Sequence, residues 1–283
     1  MRCIDLHTHS TASDGSMAPD ELVRHAEASG LAAIALTDHD VVDGLDAAVA
    51  QAAADGFELV PGVELSVASD TETHILGYYI DARDPHFLAE LGRAKEVRMQ
   101  RNYEYSANLA KLGFDVSVGE AAAAAGGGII ARAHYARVMV EKGYAKSVKQ
   151  AFDDYLANGR PGYSSLQYFS PEDAVRLIKS VGGVAYVAHL NLIRRDIPWL
   201  RTFLSGLKAV GLDGVEGYYT EYTDAETAAY RALAAELGLG VSGGTDFHAA
   251  NKPHIKIGYG DVSSPRGLDI PYSVLEDIKA RRG

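Results

Sequence analysis

The sequence predicts an α/β fold in which about seven strands alternate with helices and close into a parallel barrel, interrupted by a helical insertion. Three observations carry this expectation. Short apolar runs recur at 32–36, 59–63, 183–188, 213–217 and 240–244, separated by stretches with helical spacing of apolar residues. Most of these runs end in His, Asp or Glu, as strands do when a barrel works at their C-terminal ends. Between about 86 and 165, by contrast, no buried strand is legible. The chain therefore divides into a first barrel part, 1–85, a helical insertion, 86–165, and a second barrel part, 166–283.

At the start, Cys3-Ile4-Asp5-Leu6 reads as the end of a buried strand, and His7 and His9, two apart, leave it on one side. Asp14 follows in the next loop and adds a hard oxygen donor to the two imidazoles. Pro19-Asp20-Glu21 opens a helix with Leu22, Val23 and Ala26 on its apolar face, and Gly30 ends it. The run 32–36 is apolar throughout, as a strand covered on both faces should be, and delivers Thr37-Asp38-His39-Asp40. A helix over 43–55 leads to 59–63 and then Glu64. The segments 64–67 and 73–78 flank a polar turn and read as a β-hairpin that brings Glu64 and His74 across from each other.

The pattern then changes. A long helix is expected over 86–112, stopped by Gly113, followed by an alanine-rich segment, Gly126-Gly127-Gly128, and two shorter helices. Ser170-Pro171-Glu172-Asp173 restarts the barrel rhythm with a cap, an N1 proline and first-turn acids. Strands follow at 183–188, ending in His189, at 213–217, and at 240–244, ending in Thr245-Asp246-Phe247-His248.

Composition narrows the function classes. A net charge of -11 argues against broad binding to polyanions, yet residues 93–150 hold 10 Lys/Arg against 5 Asp/Glu and form a basic stretch suited to an anionic ligand. No apolar run has the length of a membrane span, and Asp5, His7 and His9 interrupt any signal-peptide core, so a cytoplasmic protein with no membrane association is expected. The single cysteine, Cys3, excludes an internal disulfide and reads as core packing.

Nine candidate metal ligands result: His7, His9, Asp14, His39, Glu64, His74, His189, Asp246 and His248. Six of the 10 histidines are among them. Nine mixed nitrogen and oxygen donors suit two or three divalent ions bridged by a carboxylate, Glu64 or Asp246. His25, His86 and His254 lack such positions and are expected in solvent. Arg98 and Arg101, three apart on one helical face, join Arg132 and His134 as candidates for holding substrate phosphate. Tyr103, Tyr105 and Tyr135 are potential base platforms, for which core packing is the simpler reading.

Taken in order, Asp5-Leu6-His7-Thr8-His9-Ser10, Ser13-Asp14-Gly15, Thr37-Asp38-His39-Asp40, Pro61-Gly62-Val63-Glu64, His74-Ile75-Leu76-Gly77, Ala188-His189 and Gly244-Thr245-Asp246-Phe247-His248 resemble the motifs of the PHP (polymerase and histidinol phosphatase) family. The resemblance implies a distorted (βα)7 barrel holding up to three metals, most often Mn2+, with Zn2+ or Fe2+ as alternatives. By that analogy His7, His9, Glu64 and Asp246 hold one ion, Glu64, His74 and His189 a second, and Asp14, His39 and His248 a third. Arg132-Ala133-His134 and the helical insertion resemble the branch of nucleoside 3',5'-bisphosphate phosphatases and 5'-to-3' exoribonucleases, although Ala133 and Leu190 stand where proline is usual. The implied activity is removal of the 3'-phosphate from a nucleotide such as adenosine 3',5'-bisphosphate by a metal-activated hydroxide, with trimming of short RNA as a further activity and no obligate protein partner. Asp14, His39, Asp246 and His248 would then sit at the reaction centre, with His134 touching phosphate or protonating the leaving oxygen. A histidinol-phosphate-like substrate and a non-catalytic metal-binding module are the alternatives.

Overall fold

The computed structural model describes residues 3–126 and 129–282. Its centre is a seven-stranded sheet in the order β1 (Ile4–Thr8), β2 (Ala33–Leu36), β3 (Glu58–Ser66), β4 (His74–Tyr78), β5 (Val184–Val187), β6 (Gly214–Tyr219) and β7 (Gly240–Gly244). The sheet curls until its last strand meets its first. Just beyond β7, the His9 N–H donates to the Phe247 carbonyl at 2.9 Å, and a Cβ built on Gly244 would lie 2.3 Å from the His7 Cβ. Only glycine permits so close an approach, so Gly244 is where the barrel shuts.

One strand breaks the parallel pattern, as the expected hairpin requires on one side and the pairing with β5 extends to the other. β4 runs antiparallel to both β3 and β5, whereas the other neighbouring pairs are parallel. The reason is the short turn after β3, which leaves the chain only an antiparallel return. β3 runs without a break from Glu58 to Ser66, so the apolar run 59–63 and the first arm of the expected hairpin are one strand, with Glu64 inside it.

Helices α1 (Pro19–Ala28) and α2 (Leu45–Asp55) connect the first three strands, α7 (Pro171–Ser180) leads into β5, and α8 (Ile197–Ala209) and α9 (Asp224–Glu236) connect the last three. Leu22, Val23, Ile34, Leu36, Val175, Ile178, Leu204 and Val215 belong to the cluster these helices form with the outer face of the sheet. A second cluster, including Ile4, Leu6, Val60, Leu76, Tyr78 and Tyr186, fills the barrel with α10 (Ser273–Ala280) packed against it. A two-stranded ribbon, β8 (Ile255–Lys256) and β9 (Gly260–Asp261), precedes α10.

The insertion comprises α3 (Pro85–Lys111), α4 (Val118–Ala125), α5 (Arg132–Glu141) and α6 (Val148–Ala151), the last running into a π-helical turn at Phe152–Leu156. The Asp84 carboxylate accepts from the Phe87 N–H at 2.8 Å and Pro85 takes the first helical position, which fixes where α3 begins. Tyr105, Leu109, Tyr135, Met139 and Leu156 form a cluster belonging to these helices alone. Gly126 ends α4 in a left-handed conformation, and the rest of the Gly126-Gly127-Gly128 run lies outside the described residues. Among the described residues no helix is long and apolar enough to cross a membrane.

The close approach at Gly244 yields a paired expectation. Gly244→Ala must force β1 and β7 apart and should destabilise the protein by about 1–3 kcal/mol. Gly92→Ala, on α3 with nothing among the described residues within 4 Å of the new methyl, should instead stabilise it by about 0.5–1 kcal/mol. Urea midpoints measure both; a Gly244→Ala protein as stable as its parent would contradict closure at this point.

Candidate metal centre

Every strand of the barrel except β6 sends a nitrogen or oxygen donor to its upper mouth. His7 leaves from β1 with His9 just beyond it, His39 follows β2, Glu64 lies in β3, His74 opens β4, His189 follows β5, and Asp246 and His248 follow β7. His189 and Asp246 adopt φ of 25° and 56°. Left-handed backbone at non-glycine residues costs about 1–3 kcal/mol and persists only where surrounding contacts enforce it.

All nine sequence-predicted ligands gather in one cluster at the barrel mouth, and six of them, His7, His9, His39, His74, His189 and Asp246, share a group or a close contact with Glu64, which is 1% exposed. Its Oε2 lies 3.1 Å from His7 Nε2, 3.2 Å from His9 Nε2 and 3.1 Å from His39 Nδ1. Its Oε1 lies 2.9 Å from His74 Nδ1 and 3.0 Å from His189 Nε2. Three groups have donor atoms within 4.8 Å of one another: His7, His9, Glu64 and Asp246; His9, Asp14, His39 and His248; and His39, Glu64 and His74. The first coincides with a set expected from sequence. In the third, His39 takes the part expected of His189, whose Nε2 still lies 3.2 Å from His74 Nδ1.

The donor atoms fit divalent cations on the structure's own terms. Among the described residues His7 Nε2, His9 Nε2, His39 Nδ1 and Glu64 Oε2 are buried without a hydrogen-bond partner, an arrangement that is costly unless a ligand completes it. Two of the ring nitrogens turned away from the centre are fixed instead, whereas His189 Nδ1 is buried without a partner among the described residues. His7 Nδ1–H donates to Glu216 Oε1 at 3.0 Å, and His248 Nδ1–H donates to the Asp246 carbonyl at 2.8 Å. Burial pushes the Asp14, Glu64 and Asp246 carboxyls up, but the surrounding imidazoles, with Lys252 at Asp246, hold all three well below the usual range. Burial pulls His9 down, yet Asp246 and Glu64 beside it raise it to about 9.

Over this cluster the insertion builds the far wall of a cleft of about 400 Å³. Arg98, Arg101, Arg132 and His134 all line it, so the four candidate phosphate contacts share one cavity with the metal cluster. They differ in what they touch. Arg98 is ion-paired with Asp40 and donates to Ser66 Oγ at 3.1 Å, which ties α3 to the barrel. Arg101 is 8% exposed, and Arg132 lies 5.5 Å from the Tyr163 ring centroid and 5.8 Å from that of Phe152. Among the described residues no carboxylate pairs with either. His134 Nδ1 accepts from the Ala131 N–H at 2.9 Å, so the proton of the neutral ring is on Nε2. Tyr105 and Tyr135 are buried in the insertion core, while Tyr103 is 57% exposed and does not line the cleft.

Several residues at the site were not singled out from sequence. Asp38 accepts from Ser10 Oγ at 2.7 Å and Ser13 Oγ at 2.6 Å, fastening the loop that carries Asp14. Asp5 accepts from the Thr245 N–H at 2.9 Å and does the same for the loop that carries Asp246. Lys252 Nζ lies 2.5 Å from Asp246 Oδ2, and Arg137 also lines the cleft. The signal for Asp5, Asp38 and Glu216 was a carboxylate in or beside an otherwise apolar strand. Lys252 and Arg137 carried none. His86 and His254 are exposed as expected, but His25 is half-buried, its ring stacked 5.7 Å from that of Phe247.

Comparison with known proteins agrees with this geometry. Residues 5–196 match the PHP domain. A 3',5'-nucleoside bisphosphate phosphatase of Chromobacterium violaceum is 35% identical over 270 residues, 94% of each chain. A 5'-3' exoribonuclease of Haemophilus influenzae is 36% identical over 245 residues, 86% of this chain and 89% of the other. A solved structure from Chromobacterium violaceum, reported as an amidohydrolase with bound sulfate and no metal, is 33% identical and superposes with a TM-score of 0.83 over 98% of this chain and 96% of that one. The seven-stranded barrel, the histidine and carboxylate donors at its mouth and the match along most of the sequence lead to one conclusion: the chain belongs to the PHP domain family.

Proposed function

We propose that this protein is a metal-dependent phosphoric ester hydrolase that removes the 3'-phosphate from nucleoside 3',5'-bisphosphates, with adenosine 3',5'-bisphosphate as a representative substrate. One observation carries the reading. Two guanidinium groups without carboxylate partners among the described residues, Arg101 and Arg132, share a cleft with seven of the nine metal-competent donors, so a single molecule bearing two phosphates satisfies both ends. The relative named as a 3',5'-nucleoside bisphosphate phosphatase supports the same substrate class, and the one named as a 5'-3' exoribonuclease supports trimming of short RNA as a second activity.

In this reading residues 1–85 and 166–283 form the reacting barrel and residues 86–165 the substrate-binding subdomain. His7, His9, Asp14, His39, Glu64, His74, His189, Asp246 and His248 are the ligands, with Mn2+ the leading candidate and Zn2+ or Fe2+ the alternatives. Bound divalent ions supply Lewis-acid charge at the phosphoryl group and activate water near neutral pH. The chain's own residues then set what is cleaved. Arg101 and Arg132 hold the 5'-phosphate through charge-assisted hydrogen bonds, and Arg98, already engaged by Asp40, keeps α3 at the right distance from the barrel. His134 is neutral because burial and Arg137 lower its pKa, so its Nε2–H serves as a hydrogen-bond donor to a phosphate oxygen in preference to an acid for the leaving group.

Three outcomes test this. Metal-loaded protein should release one phosphate from adenosine 3',5'-bisphosphate and leave 5'-AMP intact, and Asp246→Ala should lower that release to background; phosphate freed equally from 5'-AMP would contradict the two-phosphate reading. Arg132→Ala should raise KM for the bisphosphate by about 10- to 100-fold, the worth of a charge-assisted hydrogen bond, while leaving KM for a small aryl phosphate near its starting value. An equal effect on both substrates would remove Arg132 from the phosphate site. Metal uptake should also release protons: with His9 raised to about 9, its ring is protonated in the metal-free protein at pH 7, and metal must displace that proton. Apparent Mn2+ affinity should therefore strengthen as pH rises from 7 to 9, and pH-independent affinity would count against His9 as a ligand.

A further inference from the structure

β6 is the strand that offers no donor to the three candidate metal groups. Its Glu216 is nonetheless 0% exposed and lies directly behind the cluster. Its two oxygens have separate tasks. Oε1 accepts from His7 Nδ1–H at 3.0 Å, and Oε2 accepts from the His189 backbone N–H at 2.7 Å. With its proton held on Nδ1, His7 keeps the lone pair of Nε2 for the centre, 3.1 Å from Glu64 Oε2 and 3.6 Å from Asp246 Oδ1. The second hydrogen bond restrains a residue whose φ of 25° is otherwise unfavourable, and so aims the His189 ring at Glu64. The Tyr222 hydroxyl extends the brace, accepting from the Leu190 N–H at 2.6 Å and donating to the Glu216 carbonyl at 3.0 Å.

A local irregularity makes the arrangement possible. Opposite β7, Glu216 faces Ser242, Tyr218 faces Gly243 and Tyr219 faces Gly244, so Gly217 is an extra residue in β6. In a regular strand, residues three apart point to opposite sides. The bulge returns Glu216 and Tyr219 to the same, inner side, where both are buried and the Tyr219 hydroxyl donates to Asp246 Oδ2 at 3.2 Å. That leaves Asp246 Oδ1 turned toward His9 Nε2 at 3.2 Å. Tyr218 points outward, against the Arg231 guanidinium 4.7 Å from its ring centroid. A side chain at 217 would meet Val241 Cγ1 at 2.7 Å, so glycine is the residue the bulge admits.

We infer that Glu216 is a positioning residue of the metal centre, held inward by the Gly217 bulge, which sets the tautomer of His7 and the backbone of His189. The inference rests on reading the cluster as a metal site, and its test uses no substrate. Co2+ is titrated into wild type, Glu216→Gln and, as a control for disturbance of the same buried strand pair, Ser242→Ala. The amide oxygen of glutamine can serve only one of the two donors, so Glu216→Gln should bind Co2+ about 10- to 100-fold more weakly and shift its visible absorption bands, with Ser242→Ala like wild type in both. Wild-type affinity and spectrum in Glu216→Gln would overturn the inference while leaving the metal reading intact; a wild-type protein that binds no Co2+ would overturn both. Should Glu216→Gln fail to fold, imidazole nitrogen chemical shifts of the Zn2+-loaded wild type decide. A proton on His7 Nδ1 with metal on Nε2 supports the assignment, and metal on Nδ1 overturns it.

Discussion

Glu64 lies at the mouth of the barrel with five imidazole nitrogens within 3.2 Å of its two oxygens, three around Oε2 and two around Oε1. No apolar packing argument accounts for such a crowd. A buried carboxylate balances one imidazolium charge, and among the described residues several of these nitrogens have no hydrogen-bond partner. The arrangement is understandable as a carboxylate shared between cations, one on each side. Once that is granted, much else follows: strands must converge on one point, loops must be fastened so that donors do not swing away, and backbone strain at His189 and Asp246 must be borne by neighbouring contacts.

The fastening is done largely by carboxylates that touch no candidate metal position. Asp38 secures the loop of Asp14, Asp5 secures the loop of Asp246, and Glu216 holds His7 and His189. Each sits in a strand or at a strand end whose other residues are apolar. Rigid elements thus carry the donors, and hydrogen bonds behind them set orientation, the division of labour expected where donors must be held to fractions of an ångström.

The fold's rhythm and most of the nine candidate donors were legible in the sequence because both are local signals, an apolar run followed at once by His, Asp or Glu; Asp14 came from the loop after β1 and His74 from the hairpin. The hairpin was legible for the same reason, although its continuity with the run before it was not, since Pro61 and Gly62 look like a stop, while pairing with β4 keeps the strand extended from Gly62 to Ser66. Register and long-range pairing were not legible. The bulge at Gly217 exists only relative to β7, and the engagement of Arg98 by Asp40 joins residues far apart in the chain, so sequence grouped Arg98 with Arg101 and Arg132 when its contacts are of another kind. His25 reads as a solvated helix residue until Phe247 is seen beneath it.

The most direct test of the central claim is an anomalous-scattering experiment on crystals of the Mn2+-loaded protein at the manganese edge. Two or more peaks should flank the Glu64 carboxylate, one among His7, His9 and Asp246 and another on the side of His74 and His189. A single ion that does not touch Glu64, or manganese bound only outside the barrel mouth, would contradict the reading of Glu64 as the shared ligand around which the structure is built.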